Sequence, residues 1–428
     1  MTSHRPDVRV VLPLPGLALA SRSPRAATPR RALLTGSALV VVALLAVPTG
    51  AAGIDTGVSA PSHSTACKVQ EGLVTRTVGP GVLQVIADEA GHRFDGGRIR
   101  EVEVGRDGTI VVAQGRRVIV LGEPGAITPR SDGRRSVVRA LHLTPWGELW
   151  AVEDGGSVVV AEDGHWVDRS GSMRGAGSSI GALDDGSVWR VARSPHGPNE
   201  IVKLDGTGWA PSESVGLEES LGGGVGRYDF ARTSDGRVWL GIDRGDRPGG
   251  IASYDEAGWR SDQLGTAEAP RVLGLTVGPD GSLWVIADRR LHYTRPGEYV
   301  LLRHHEGTWS AIGPEQGIPQ DKMGVWTDWD PTAPNIITVD PDGRVWFSVH
   351  GIGLYLYDGA DFHRVEIPNS GWGALDIRVG PDGLAWIVSG RGALYVVCHS
   401  ALDSEHDVAP SMESAPADTP GRPTARLP

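Results

Sequence analysis

Seven copies of one short phrase limit what this chain can fold into: a turn, a Gly, two residues and a large apolar side chain. The copies are Gly108-Thr109-Ile110-Val111, Gly147-Glu148-Leu149-Trp150, Gly186-Ser187-Val188-Trp189, Gly236-Arg237-Val238-Trp239, Gly281-Ser282-Leu283-Trp284, Gly343-Arg344-Val345-Trp346 and Gly383-Leu384-Ala385-Trp386. Asp precedes the Gly in six of them, and the Gly-to-Gly spacings are 39, 39, 50, 45, 62 and 40 residues. Asp-Gly turns between alternating apolar residues signal hairpins, and a four-stranded propeller blade takes ~40–45 residues. One such unit cannot bury a core alone. A ring of them buries a continuous core and leaves only short edges. The phrase therefore predicts an all-β, seven-bladed β-propeller. The 60 Gly in 428 residues, about twice the usual ~7%, suit so many tight turns.

One repeat can be read strand by strand as Ile336–Val339, Val345–Val349, Gly353–Tyr357 and Asp361–Val365. Trp166, Trp209, Trp259 and Trp309 recur in the fourth strand, so ten of the 14 Trp belong to the repeat. Large rings there fill the wedge between twisted sheets. The last repeat, ending at Gly392–Cys398, has three strands and no fourth. Strand-like pieces precede the first repeat at Leu73–Val78 and Val82–Ala87, and the expectation is that Gly91–Phe94 supplies the missing outer strand. Eight blades with a degenerate first one is the alternative, because Thr77–Asp88 echoes Thr276–Asp288. Cys67 and Cys398, the only two cysteines, flank the repeat body. Ring closure brings its ends together, so they form a candidate disulfide in an exported protein.

The ends of the chain read differently from its body. Residues 1–53 carry six Arg and one Asp, a net +5, whereas the rest carries 35 basic and 51 acidic side chains, a net −16. Residues 1–31 are an Arg-rich cytoplasmic region, and 32–53 are a transmembrane anchor or a signal peptide. Arg30-Arg31-Ala32-Leu33-Leu34-Thr35-Gly36 looks like a twin-arginine export signal. Residues 54–66 are a linker, 67–400 the propeller and 401–428 a tail too polar and Pro-rich to order itself. The expected location is the cell membrane with an extracytoplasmic propeller, or the outside of the cell if the signal is cleaved. An acidic body disfavours a nucleic-acid partner.

In a four-stranded meander the first-to-second and third-to-fourth turns share one face. The second-to-third connectors and the blade-to-blade loops share the other. Length variation falls on the second face, at Ser194–Asn199, Pro211–Arg227, Asp243–Gly250 and Gly313–Asn335. Such loops over a rigid scaffold carry function. The longest holds Trp326, Asp328, Trp329 and Asp330. With Trp372 and Tyr228 these residues are the candidate ligand-binding rim, since exposed Trp beside carboxylates suits a sugar or a cationic ligand. The other reading is that the loop folds back and buries its own Trp.

Gly177-Ser178-Ser179-Ile180-Gly181 matches the serine-hydrolase elbow, but that motif needs a strand-turn-helix setting, and here it lies between β units. The His residues show no metal-ligand spacing. No catalytic residue, metal ligand or cofactor is assigned.

The repeat resembles the two-component regulator propeller family through Asp342-Gly343-Arg344-Val345-Trp346, Gly351-Ile352-Gly353-Leu354-Tyr355-Leu356-Tyr357-Asp358-Gly359 and Glu315-Gln316-Gly317-Ile318-Pro319. That resemblance implies an extracytoplasmic, sensor-type propeller. Gly278–Trp284 is also similar to streptogramin B lyases, seven-bladed enzymes using His, Glu and a divalent metal. Those continue Trp-Phe-Thr-Glu where this chain has Trp346-Phe347-Ser348-Val349, so no catalytic residue carries over. The expected function is a monomeric, membrane-anchored propeller binding a small molecule, a glycan or an envelope protein. The alternative is a metal-dependent lyase or hydrolase on the same scaffold.

Overall fold

The computed structural model describes residues 69–95, 99–124, 137–153, 156–162, 165–171, 180–192, 199–205, 208–212, 217, 226–244, 247–262, 271–289, 298–320, 337–349, 353–368 and 374–398. All belong to the compact unit Thr65–Pro428.

The described chain opens with a hairpin, Leu73–Gly79 (β1) and Val82–Asp88 (β2). Blade one is Ile99–Val104 (β3), Ile110–Gln114 (β4) and Arg117–Val120 (β5). Blade two is Val138–Leu143 (β6), Leu149–Glu153 (β7), Val158–Glu162 (β8) and His165–Asp168 (β9). Blade three is Ile180–Ala182 (β10), Val188–Ala192 (β11), Glu200–Leu204 (β12) and Trp209–Pro211 (β13). Blade four is Arg227–Arg232 (β14), Val238–Arg244 (β15), Arg247–Asp255 (β16) and Gly258–Asp262 (β17). Blade five is Arg271–Val277 (β18), Leu283–Asp288 (β19), Tyr299–His305 (β20) and Thr308–Ile312 (β21). Blade six is Ile337–Val339 (β22), Val345–Val349 (β23), Gly353–Tyr357 (β24) and Phe362–Val365 (β25). Ala374–Val379 (β26), Leu384–Ser389 (β27) and Leu394–Cys398 (β28) begin blade seven.

All pairings between these strands are antiparallel, and all but β2 with β28 join consecutive strands, giving seven sheets. The first strand of each blade packs on the first strand of the next, β3 on β6, β6 on β10, and so on to β22 on β26 and β26 back on β3. The ring is closed with seven blades, and the eight-bladed alternative falls.

Closure corrects the expectation for Gly91–Phe94. The outer strand of blade seven is β2, with Val82 opposite Val397, Leu83 opposite Val396 and Gln84 opposite Tyr395. β1 adds a fifth strand beyond it. Val82 and Val85 are buried there. Gly91 has φ +83°, a left-handed turn geometry, and the backbone N–H of His92 donates to Asp88 Oδ1 at 2.8 Å. Phe94 instead plugs the core shared by blades seven and one.

The recurring phrase is a single turn repeated. Its seven Gly have φ between +76° and +91°, a region where a Cβ costs about 1–2 kcal/mol. In each turn the Gly N–H donates to the carbonyl three residues back, as from Gly281 to Gly278 at 2.9 Å. In five turns the preceding Asp accepts the N–H that follows the Gly, as from Thr109 to Asp107, Ser187 to Asp185 and Ser282 to Asp280, each at 2.9 Å; in blade six Asp340 accepts it from Arg344, also at 2.9 Å. Trp146 stands where blade two lacks this Asp, and there Thr144 Oγ1 accepts from the Glu148 N–H at 2.8 Å.

The repeat Trp residues pack between blades, as expected. Trp189, Trp239, Trp346 and Trp386 are fully buried. Trp189 in blade three meets Trp259 of blade four edge-on at 5.6 Å, and Trp239 meets Trp309 of blade five at 5.7 Å. Edge-to-face pairs of this kind add to the burial of their area. Loop residues Leu217, Ile318 and Ile367 insert into the same inter-blade cores.

Candidate functional site

The two faces of the ring differ chemically. On the turn face, side chains satisfy one another. Ser282 Oγ donates to Asp280 Oδ2 at 2.7 Å, lies 2.9 Å from His305 Nδ1 and accepts from Arg303 Nε at 3.0 Å. Ser282 is fully buried, so this Ser-His-Asp grouping offers no accessible nucleophile. Burial opposes ionisation of Asp280, but bonds from Ser282 and Arg303 outweigh it and hold its carboxyl below the ordinary range.

The connector face gathers buried charge where second strands end and first strands begin. Arg271, opening β18, donates from Nε to Asp243 Oδ1 at 2.9 Å and from Nη2 to Asp243 Oδ2 at 3.2 Å. Its Nη1 lies 3.7 Å from Asp288 Oδ2. All three residues are buried, and they bridge blades four and five. Such planar two-point pairing is what guanidinium geometry favours. Tyr228, on β14, is 2% exposed, and its hydroxyl accepts from Asn199 Nδ2 of blade three at 2.7 Å. Burial raises its phenol above the ordinary range. Where the ring closes, His92 Nδ1 lies 2.9 Å from Asp88 Oδ2, and both are buried. Gln320 binds the Tyr299 backbone through its Oε1 at 2.9 Å and its Nε2 at 3.1 Å, fixing the root of the longest connector.

Glu153 ends β7, is 2% exposed, and neither carboxylate oxygen has a hydrogen-bond partner among the described residues. From blade three, Arg190 Nη2 donates to the Gly156 carbonyl at 3.0 Å. Burial lowers the Arg190 guanidinium to about 10.

A fourth group lines the innermost strands where blade seven meets blade one. Arg378 donates to Asp376 Oδ1 at 3.1 Å and to Glu103 Oε1 at 2.7 Å. Asp376 Oδ2 accepts the Val102 N–H at 2.8 Å, and Glu101 accepts the Leu141 N–H of blade two. Asp376 and Glu103 share one guanidinium, and Glu101 lies within its electrostatic reach. Burial, then the proximity of Asp376 and Glu103, pushes Glu101 well above the carboxylate range. Burial pushes Asp376 up to about 7 against the pull of Arg378.

Of the rim read from the sequence, Tyr228 is the one member among the described residues, and it belongs to the inter-blade core. Trp326, Asp328, Trp329, Asp330 and Trp372 lie outside them, as do Cys67, the segment 32–53, the linker and the tail. Cys398 is 3% exposed, and no described cysteine is free. Ile180 and Gly181 of the elbow-like motif begin the strand β10, not a helix. The supposed connector Asp243–Gly250 is largely hairpin, with β15 and β16 paired as far as Arg244 and Arg247. Among the described residues no three His, Cys, Asp or Glu side chains converge to hold a metal ion, and no helix is long and apolar enough to cross a membrane. Sequence reading missed Glu153, the Arg271 bridge and the Asp376 cluster.

No family model matches the sequence, and no curated protein matches it. Solved structures share its fold. A streptogramin B lyase is 16% identical, aligned over 71% of this chain and 93% of its own with a TM-score of 0.50. A catalytically inactive virginiamycin B lyase from Staphylococcus aureus, solved with quinupristin, is 15% identical over 70% and 94%, with a TM-score of 0.51. The extracellular domain of a putative one-component system from B. thetaiotaomicron is 11% identical over 70% of this chain, with a TM-score of 0.51, and this chain covers 38% of it. At these identities the likeness establishes the propeller fold.

Proposed function

We propose that this chain is an exported β-propeller that works as a sensor-like binding module and takes its ligand or partner on the connector face. The observation that carries this reading is the asymmetry of the ring. The turn face repeats one self-satisfied turn seven times. The connector face collects the length variation and buried charge, including the unpartnered Glu153. Function on a rigid scaffold resides in such variable loops. The resemblance to sensor-type propellers supports the same reading.

The ligand class is a small molecule, a glycan or an envelope protein, contacted by Trp326, Asp328, Trp329, Asp330 and Trp372. Residues 32–53 tether or export the chain, placing the propeller outside the cytoplasm. The Cys67–Cys398 disulfide fastens the ends of the ring. Val69, two residues past Cys67, packs on the core cluster that contains Cys398, which supports the pairing.

The test is capture from a native envelope extract by the full chain and by two variants. Trp326→Ala with Trp329→Ala is expected to lose a specific captured component. Thr109→Ala, on the turn face, is expected to keep it. Equal capture by both variants rejects the connector-face assignment.

A further inference from the structure

We propose that Trp146 is the stacking platform of a carbohydrate site on the turn face, where blade two meets blade three, and that it takes a neutral sugar ring of a glycan. The site lies opposite the connectors and is independent of binding there.

The first strands pack on one another all the way round the ring, so the first-to-second turns surround its axis. Six of these turns place Asp before the Gly, and blade two places Trp146 there. The backbone closes the blade-two turn as it does the others. Gly147 N–H donates to the Thr144 carbonyl at 2.9 Å, and Thr144 N–H to the Glu148 carbonyl at 2.8 Å. Thr144 Oγ1 supplies the cap on Glu148 N–H. The turn therefore needs nothing from residue 146, whose indole stays 40% exposed. Single exposed apolar residues are common on surfaces. What distinguishes Trp146 is that it and Val74 are the exposed large apolar side chains among the described residues, and that it replaces a capping Asp.

The indole lies beside polar groups that are already fixed. Its Cη2 stands over Gly186 of the blade-three turn, 3.9 Å from where a Cβ would be, so that residue lays no side chain over it. Asp184 and Asp185 precede this Gly, and both reach Arg232 of blade four. Arg232 Nη1 is 3.0 Å from Asp184 Oδ1, and Nε is 3.4 Å from Asp185 Oδ2. Asp185 Oδ1 also accepts the Ser187 N–H at 2.9 Å and its hydroxyl at 2.6 Å. The carboxylates are thus positioned in advance, as a binding site requires. The side chains of Arg232, Asp184 and Asp185 are 25%, 46% and 35% exposed, so the patch is open to solvent. An apolar plane beside fixed donors and acceptors matches a sugar ring, which has a C–H face and a hydroxyl edge. Because Arg232 engages both carboxylates, what they present is hydrogen-bonding capacity rather than bare charge. The equivalent positions of the other turns hold Asp107, Asp235, Asp280, Asp342 and Asp382. That acidic ring repels anionic lipid surfaces and polyanionic chains, whereas a neutral sugar meets no such penalty. A small cation over the indole is the competing occupant.

The experiment is calorimetric titration of the full chain with cellotetraose, chitotetraose, maltotetraose and mannotetraose and, separately, with spermidine, alongside melting curves of the ligand-free protein. Wild type is expected to bind at least one tetrasaccharide saturably. Trp146→Ala is expected to weaken that binding by about tenfold or more and to leave the melting temperature unchanged, as for an exposed side chain. Trp146→Asp restores the residue found in the other six turns. It is expected to melt no lower than wild type and to bind as weakly as Trp146→Ala. Asp184→Asn keeps the ring, alters one polar neighbour, and is expected to bind at intermediate strength. A clearly lower melting temperature for both Trp146 variants means the indole is structural and overturns the proposal. So does equal tetrasaccharide binding by wild type and Trp146→Ala, binding of spermidine alone, or no tetrasaccharide binding at millimolar concentration.

Discussion

Asp376 Oδ2 accepts the backbone N–H of Val102 at 2.8 Å, joining the innermost strands of the last and first blades across 274 residues of chain. This bond lies inside the cluster in which Asp376 and Glu103 share Arg378 and Glu101 is close by. The closure of the ring therefore depends on how many protons those carboxyls hold.

The sign follows from linkage. Glu101 and Asp376 titrate higher in the fold than in the unfolded chain, chiefly because burial disfavours their charged forms. The folded seam thus binds more protons, and its contribution is fully present below the unfolded carboxyl values near 4. That contribution falls as pH rises through about 7. Asp107, held low mainly by the Thr109 N–H, and Asp185, where bonds from Ser187 outweigh burial, act oppositely and lose their contribution in acid. Melting temperature is therefore expected to fall between about pH 5 and about pH 8, and Asp376→Asn is expected to flatten that slope. A wild-type melting temperature that rises steadily across this range would contradict the account.

The Asp243–Arg271–Asp288 bridge is a buried charge cluster, so breaking it should cost more than replacing it. Arg271→Ala removes the cation that Asp243 and Asp288 share and is expected to destabilise by about 3–5 kcal/mol. The triple replacement Arg271→Met, Asp243→Leu and Asp288→Leu is expected to recover part of that loss. Denaturant unfolding of the two proteins measures the difference. A triple variant no more stable than Arg271→Ala would mean the charges themselves stabilise the fold.

Trp239 and Trp309 test how far the blades depend on each other. Trp239 is fully buried, and Trp239→Ala is expected to cost about 3–5 kcal/mol. Trp309, half-buried at the rim of the same pair, should cost less. The coupling energy in a double-mutant cycle is expected to be about 0.5–1.5 kcal/mol. A cycle with no coupling would mean the edge-on contact at 5.7 Å is incidental.

What the sequence disclosed and what it hid follow one physical division. The turn Gly, the capping Asp and the repeat Trp act within a blade or between neighbours in a fixed register, so periodicity exposes them. Glu101-Val102-Glu103 reads as an ordinary solvent-facing alternation. Only the ring places it opposite Asp376 and Arg378, far away in sequence. Arg271 likewise reads as a loop residue until the end of β15 is laid beside it. Glu153 carried no signal at all, because an orphaned carboxylate is defined by the absence of neighbours, which only packing reveals. The closing strand, β2, lies one element earlier than Gly91–Phe94. Val82–Ala87 and Gly91–Phe94 are both strand-like, but β2 buries Val82 and Val85 against blade seven, whereas Gly91 turns the chain.

That last distinction can be tested by truncation. A chain beginning at Leu73 keeps the β1–β2 hairpin and should still unfold cooperatively. It lacks Cys67, and if the Cys67–Cys398 disulfide closes so long a loop, up to ~4–5 kcal/mol of stability goes with it in the chain-entropy model. A chain beginning at Glu89 loses β2, with its three pairings to β28 and the burial of Val82 and Val85, each worth roughly 1.5–3 kcal/mol. It also bares the edge of β28, whose Cys398 N–H bonds the Gly81 carbonyl at 2.9 Å. This shorter chain is expected to melt broadly or aggregate, as open sheet edges do. Circular dichroism and size-exclusion profiles of the two chains decide the point, and cooperative folding of the Glu89 chain would return the closing role to Gly91–Phe94.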